Sequence, residues 1–316
     1  MKILANDGIS QSGIDDLTAA GFEVLTTTVA QAQLVNFINS KNIIALLVRS
    51  ATTVRQDLID ACPGLKIIGR GGVGMDNIDV AYAREKGLSV INTPAASSES
   101  VAELVFAHLF SGVRFLYDSN RNMPLDGDSK FKNLKKAYAK GTELRGKTLG
   151  VIGFGRIGQA TAKMALGLGM KVIAFDPFIE KTTVSVSFFD GQAVDFEIKT
   201  VSKETVLKES DFISLHVPAQ KDFVIGEAEL KLMKEGAGLI NAARGGVVNE
   251  VALVAALDSN KLAFAGLDTF ENEPTPAVQV LMNQKVSLTP HIGAATNQAQ
   301  DRIGSELAAQ IIALLK

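Results

Sequence analysis

The chain is poor in several residue types on which whole classes of protein depend. One cysteine, Cys62, occurs in 316 residues, so no intrachain disulfide can form, and the residue beside Pro63 reads as a reduced packing side chain of an intracellular protein. Only three histidines are present, and no metal site is expected from them. No apolar run approaches the roughly 18 residues of a membrane span. The opening Met1-Lys2-Ile3-Leu4-Ala5-Asn6 turns polar too soon for a signal peptide and reads as a first strand. Basic blocks are missing and the net charge is −2, which argues against a nucleic-acid surface. There is no internal repeat and no low-complexity tract. What remains is a chain of about two domains' worth of residues, expected in the cytosol.

Short apolar runs alternate with helical patterns almost throughout, the signature of parallel sheets covered by helices. Strands are expected at Lys2 to Asn6, Phe22 to Thr26, Ile43 to Arg49, Lys66 to Arg70 and Leu88 to Asn92. A second series covers Thr148 to Ile152, Met170 to Asp176, Asp211 to Val217, Gly238 to Ala242, Leu262 to Asp268 and Val286 to Leu288. The fold class is therefore α/β with two doubly wound parallel-sheet domains. Their joint is expected near Asn92-Thr93-Pro94, where the proline ends the strand, and a long helix should follow from Val101 to about Leu116. The last helix, Asn297 to Leu315, has no strand of its own to cover and is expected to return to the first domain. That layout gives one domain of residues 1–93 and 293–316, another of 94–292, and a ligand crevice between them. Asp118 to Gly141 is polar and lysine-rich and reads as a solvated connection or a dimer arm. Between Val184 and Ile198, period-two alternation around Asp190-Gly191 argues an inserted hairpin.

The most informative segment is the glycine turn Gly153-Phe154-Gly155-Arg156-Ile157-Gly158, directly after the apolar run ending at Ile152, with Asp176 placed 18 positions beyond its last glycine. A strand running into a helix across glycines lets backbone N–H groups approach a pyrophosphate, and an acid at the tip of the next strand suits a ribose diol. Such an acid repels a 2′-phosphate, so NAD is favoured over NADP. Chemistry at a hydroxyl then needs a base. His108 lies inside an apolar helix pattern and reads as a packing residue; His216 closes a strand with Val217 and Pro218 and could line the cofactor side or be structural. His291, in Thr289-Pro290-His291-Ile292-Gly293, is the best base in the chain. Glu271 and Glu273 compete as the carboxylate that orients it. Arg244, at a strand end after Asn241-Ala242-Ala243 and beside Gly245 and Gly246, can clamp a carboxylate. Gly72, Val73 and Gly74, at the end of a strand, can present N–H groups to a carboxylate, and Arg49 and Arg70, each at a strand end, supply charge suited to a phosphate.

In order and spacing, the glycine turn with Asp176, Asn241-Ala242-Ala243-Arg244-Gly245, Glu271-Asn272-Glu273-Pro274 and Pro290-His291-Ile292-Gly293 resemble the D-isomer-specific 2-hydroxyacid dehydrogenases. The resemblance covers essentially the whole chain. It implies a Rossmann NAD-binding domain with a discontinuous flavodoxin-like substrate domain, Arg244 on the substrate carboxylate and reacting oxygen, Glu273 as the partner of His291, and His291 as acid/base. It also implies contacts to the cofactor from Gly153, Gly155, Arg156, Ile157, Gly158, Asp176, His216, Val217, Pro218, Ala242, Arg244, Asp268, His291 and Gly293. Substrate contacts would come from Arg49, Arg70, Gly72, Val73, Gly74, Arg244 and His291. Val48-Arg49-Ser50-Ala51-Thr52 and the run Gly69 to Asp79 resemble the branch that oxidises D-3-phosphoglycerate, the first committed step of serine synthesis. The alternatives are glyoxylate, hydroxypyruvate or lactate-type substrates or, in another class, an NAD-sensing corepressor-like protein. By the same resemblance a homodimer or homotetramer is expected. With the chain ending at Lys316, no appended amino-acid-binding regulatory domain and no feedback by serine are expected.

Overall fold

A computed structural model describes residues 1–316, which divide into two compact units, Met1–Ser100 with Ala294–Lys316, and Val101–Gly293. In the first unit, β1 (Lys2–Ala5), α1 (Gln11–Ala19), β2 (Glu23–Leu25), α2 (Gln31–Lys41), β3 (Ile43–Val48), α3 (Gln56–Ala61), β4 (Ile67–Arg70), α4 (Val80–Glu85) and β5 (Ser89–Asn92) alternate strictly. The five strands form a parallel sheet of order β2-β1-β3-β4-β5, the flavodoxin-like doubly wound order. Its central strands are apolar on both faces, as in Ala45-Leu46-Leu47-Val48 and Ile67-Ile68, because helices cover both sides. Leu34, Ile38, Leu58 and Ile59 pack on one face, and Leu17, Ala308 and Ile311 on the other. The C-terminal helix, Asn297–Leu315, crosses α1 at a glycine pair. A Cβ on Gly13 would lie 2.8 Å from the Gly304 Cα, so neither position tolerates a side chain without separating the helices.

Helix α5 (Ser98–Val113) starts at the end of the first unit and runs into the second, where it is followed by α6 (Leu116–Asp126) and α7 (Phe131–Ala137), so the lysine-rich stretch after α5 is helical over much of its length. Then come β6 (Thr148–Ile152), α8 (Arg156–Gly167), β7 (Lys171–Phe175), the hairpin strands β8 (Lys181–Ser187) and β9 (Ala193–Lys199), α9 (Lys203–Glu209), β10 (Phe212–Leu215), α10 (Glu227–Leu232), β11 (Ala237–Asn241), α11 (Glu250–Asp258), β12 (Leu262–Leu267), α12 (Val278–Leu281) and β13 (Val286–Leu288). The main sheet is parallel with order β13-β12-β11-β10-β6-β7, and a lone parallel bridge from Ala174 to Thr200 extends it past β7. Strand order reverses between β6 and β10, the switch point at which such sheets bind ligands.

The hairpin turns as the sequence alternation predicts. Strand β8 pairs antiparallel with β9 from Lys181↔Lys199 to Ser187↔Ala193. Gly191, at φ +86°, takes the left-handed position that closes the three-residue loop between Phe188 and Gln192, whose N–H and C=O are bonded. Val184 and Ile198 point inward and join the cluster of Phe154, Ala162 and Ala174.

Candidate functional site

In the second unit each strand of the sheet ends in a residue singled out from the sequence. At the end of β6 the three glycines of the turn do three different jobs. Gly153 sits at φ +91°, and a Cβ there would lie 2.5 Å from the His216 carbonyl oxygen; a Cβ on Gly158 would lie 2.2 Å from the Gly153 oxygen; a Cβ on Gly155 would meet nothing within 4 Å. The first glycine thus makes the turn and the third lets α8 close on β6, while the second leaves open space where a pyrophosphate can approach the backbone. Exposed Arg156 and half-buried Ile157 form the first turn of α8, whose dipole favours an anion. At the end of β7, Asp176 Oδ2 accepts from Phe154 N at 2.7 Å, and Oδ1 accepts from Phe178 N and Ile179 N at 2.9 and 3.2 Å. Three backbone donors hold the carboxylate as an acceptor, with capacity left for a ribose hydroxyl.

His216 follows β10 and hydrogen-bonds Ser214 Oγ through Nε2 at 2.9 Å. Burial pushes its pKa down to about 3, so the ring is neutral, and the buried Nδ1 has no protein partner. An orphaned ring nitrogen and the open space over Gly155 are both what a bound dinucleotide would satisfy. Val217 is half-buried and Pro218 exposed beside them.

The catalytic candidates follow β11, β12 and β13. After β11 comes buried Ala242, and Asn241 fastens the next turn by accepting from Ala243 N and donating to Arg244 O. Arg244, half-buried, donates from Nη1 to the Ala243 oxygen at 2.7 Å. Gly245 makes the decisive close approach: a Cβ there would lie 1.8 Å from the Phe270 oxygen, so only glycine lets the loop after β12 pack on this turn. That loop settles the contest between the two glutamates. Glu271 and Glu250 exchange bonds, each carboxylate accepting the other's backbone N–H at 2.6 and 2.8 Å. Glu273 instead holds Phe270 N on Oε1 at 3.0 Å and the His291 Nδ1 on Oε2 at 2.8 Å.

His291 itself adopts φ +55°, a left-handed conformation that is uncommon outside glycine. Asp268 holds it there by accepting from Ile292 N on Oδ1 and Gly293 N on Oδ2, both at 2.8 Å. Three side chains in this neighbourhood carried no such signal in the sequence: Glu250, Thr289 and Ser214. Each is an ordinary polar residue, and only the fold gives it a partner.

The first unit has its own constellation. Asp7, after β1, accepts from the backbone N–H groups of Arg49 and Thr52 at 2.6 and 3.0 Å, and Asn77 donates to the Arg49 and Thr52 oxygens. Val48 is in register with Arg70, so Arg49 and Arg70 leave neighbouring strand ends. The Arg70 guanidinium folds over Gly72, where a Cβ would collide with it. Of the three expected anion donors, Gly72 N is spent on the Arg70 oxygen at 2.9 Å. The N–H groups of Val73 and Gly74 make no backbone hydrogen bond, while Asn92 pins the Val73 oxygen.

Comparison with known proteins matches these features. The profile of the D-isomer specific 2-hydroxyacid dehydrogenase NAD-binding domain matches residues 106–293. A hydroxypyruvate reductase of Thermotoga maritima is 45% identical over 271 residues, 84% of this chain and 83% of that protein. A D-3-phosphoglycerate dehydrogenase of Archaeoglobus fulgidus is 38% identical over 320 residues, 100% of this chain, which spans 58% of that longer relative. A solved structure of a Thermus thermophilus protein superposes with a TM-score of 0.83 at 30% identity, covering 100% of this chain and 97% of that one. With the nucleotide turn, the guanidinium and the Glu273–His291 pair on successive strand ends, the chain belongs to the D-isomer specific 2-hydroxyacid dehydrogenase family of NAD-dependent oxidoreductases.

Proposed function

We propose that the protein oxidises D-3-phosphoglycerate to 3-phosphohydroxypyruvate, feeding serine synthesis in the cytosol. NAD supplies the acceptor for the hydride leaving C2, and Asp176 favours it over NADP by repelling a 2′-phosphate. Neutral His291, its Nδ1–H held by Glu273, takes the C2 hydroxyl proton at Nε2, and the glutamate stabilises the imidazolium that forms. Arg244 clamps the substrate carboxylate and polarises the reacting oxygen, and Val73 and Gly74 carry N–H groups suited to a carboxylate.

One observation carries the choice of a phosphorylated substrate. Arg49 directly follows Val48, the register partner of Arg70, so the two arginines leave adjacent strand ends one residue apart in register, and Asp7 and Asn77 fix the backbone around the first of them. Two guanidinium groups so placed suit a dianion better than a neutral hydroxymethyl. The second reading, reduction of hydroxypyruvate or glyoxylate, is favoured by the 45% identical hydroxypyruvate reductase.

Initial rates separate the two. NADH production with D-3-phosphoglycerate should exceed that with D-glycerate at equal concentration, with the product drained. Arg49→Ala and Arg70→Ala should each raise KM for the phosphorylated acid about 10-fold or more while barely affecting D-glycerate. A preference for D-glycerate, or phosphate-independent kinetics in both variants, would move the enzyme to the second reading.

A further inference from the structure

Behind His291 lies a file of buried polar side chains that the chemistry proposed above does not use. It begins on α5 with His108, 2% exposed, whose Nδ1 lies 2.9 Å from Ser287 Oγ and whose Nε2 lies 3.0 Å from Thr289 Oγ1. The Thr289 hydroxyl donates to Asp268 Oδ1 at 2.6 Å. Asp268, 1% exposed, holds the two N–H groups that follow His291. Strand β12 is cut away to admit the ring: a Cβ on Gly266 would lie 2.6 Å from the His108 Cβ.

The direction of this chain follows from counting protons. Asp268 accepts backbone N–H groups on both oxygens, so Thr289 gives it its only hydroxyl proton. The Thr289 oxygen is then an acceptor, and the group facing it, His108 Nε2, carries the hydrogen. Burial holds the His108 ring below the ordinary histidine range, with the Asp268 charge opposing, which favours a neutral ring whose Nδ1, at 2.9 Å, takes the Ser287 proton in preference to the longer 3.5 Å contact from Ser287 Oγ to Ser111 Oγ. From His108 onward the links run one way, toward the carboxylate that fixes the turn of His291. Bonds aligned in this manner reinforce one another in a buried setting.

We propose that His108 is a positioning residue: as the neutral Nε2–H tautomer it orients Thr289 and, through it, Asp268, so that the left-handed turn presents His291 to substrate with Nδ1 on Glu273. The inference rests on the reading of His291 as the acid/base. A packing histidine would need only volume at this position, whereas the role assigned here needs a donor at Nε2.

Two experiments test it. With three histidines in the chain, the ¹⁵N-histidine spectrum of the protein without cofactor resolves each imidazole, and His108 should appear as neutral Nε2–H; an Nδ1–H ring would overturn the proposal. In kinetics, His108→Leu should lower kcat per folded enzyme about 10- to 100-fold, the scale of a small misplacement of a catalytic group. The Kd for NADH, followed by nicotinamide fluorescence, should stay within roughly 2-fold, because only positioning is lost. His108→Gln, which can set an amide N–H near the Nε2 position, should restore most of the lost kcat. An unchanged kcat in His108→Leu, or a glutamine variant as poor as the leucine one, would leave only a packing role. His291→Ala separates this outcome from failure of the underlying reading: if that variant turns over normally, His291 is not the acid/base, whereas an inactive His291→Ala beside a fully active His108→Leu overturns only the role of His108.

Discussion

At the scale of single residues, His291, proposed above as the acid/base, has one ring nitrogen already committed. Nδ1 is bonded to Glu273 Oε2, and Oε1 of the same carboxylate is anchored on Phe270 N, so the glutamate can neither swing away nor turn. Proton exchange is left to Nε2. Removing the ring in His291→Ala should therefore lower kcat about 10²- to 10⁴-fold, the usual weight of a general acid/base, with NADH affinity nearly unchanged. Glu273→Gln keeps a partner for Nδ1 but not the charge that steadies the imidazolium, and should fall between that variant and wild type; kcat and kcat/KM measured beside NADH binding check both. The placement of Arg244 and His291 just past the strand ends was legible in the sequence because each follows an apolar run among small residues. The choice between Glu271 and Glu273 was not legible, since both lie in one short loop. What separates them is the approach of Gly245 to the Phe270 oxygen and the capture of Glu271 by Glu250, contacts that join segments far apart in the chain. His108 was legible as buried but not as hydrogen-bonded, because a helical apolar pattern marks position and says nothing of partners.

At the scale of elements, the strands were the most legible part of the fold. Parallel strands covered on both faces read as unbroken apolar runs, and the hairpin of β8 and β9 betrays itself by period two around Asp190-Gly191. The segment after α5 was far less legible. Helices α6 and α7 bury no side chain, and α6 carries Pro124, so neither periodicity nor composition announces them. Their apolar residues point outward instead: Leu125 is 75% exposed and Phe131 56%, and Leu116 and Met123 on α6 and Phe110 on α5 are also exposed. Large apolar side chains exposed on successive elements mark association surfaces more often than solvated ones. On this basis we propose a homodimer or homotetramer formed through α5, α6 and α7. Light scattering should give at least twice the 33.5 kDa chain mass, and Leu125→Asp with Phe131→Asp should return the monomer with its circular dichroism intact. A monomeric wild type would refute the assignment.

For the molecule as a whole, a few buried groups bias stability between pH 7 and 5 in opposite directions. His216 is held down to about 3 by burial, and burial also lowers His108. A depressed folded value means that stability from these rings is complete above the ordinary histidine value near 6.5 and is lost as pH falls below it, because the unfolded chain then binds protons that the fold refuses. Glu250 has the opposite sense: burial first, then the charges of Glu271 and Glu273, raise it above the ordinary carboxyl value. Its contribution is complete below about 4.5 and is lost as pH rises past its folded value. The wild-type melting temperature should therefore fall from pH 7 to pH 5, where two imidazoles outweigh one carboxyl, and His216→Gln should flatten that fall. Glu250→Gln keeps an acceptor for the Glu271 N–H but removes the repelling charge, so it should melt higher at pH 8, by about 2–4 °C for each kcal/mol relieved, and show little change at pH 4.5. Every histidine in the chain, together with Glu250, lies in the unit Val101–Gly293. Where calorimetry resolves separate transitions for the two units, the histidine-dependent slope between pH 7 and 5 should belong to that unit alone. An equal slope in the other unit, which contains no histidine, would show that carboxylates and not the buried rings govern the acid limb.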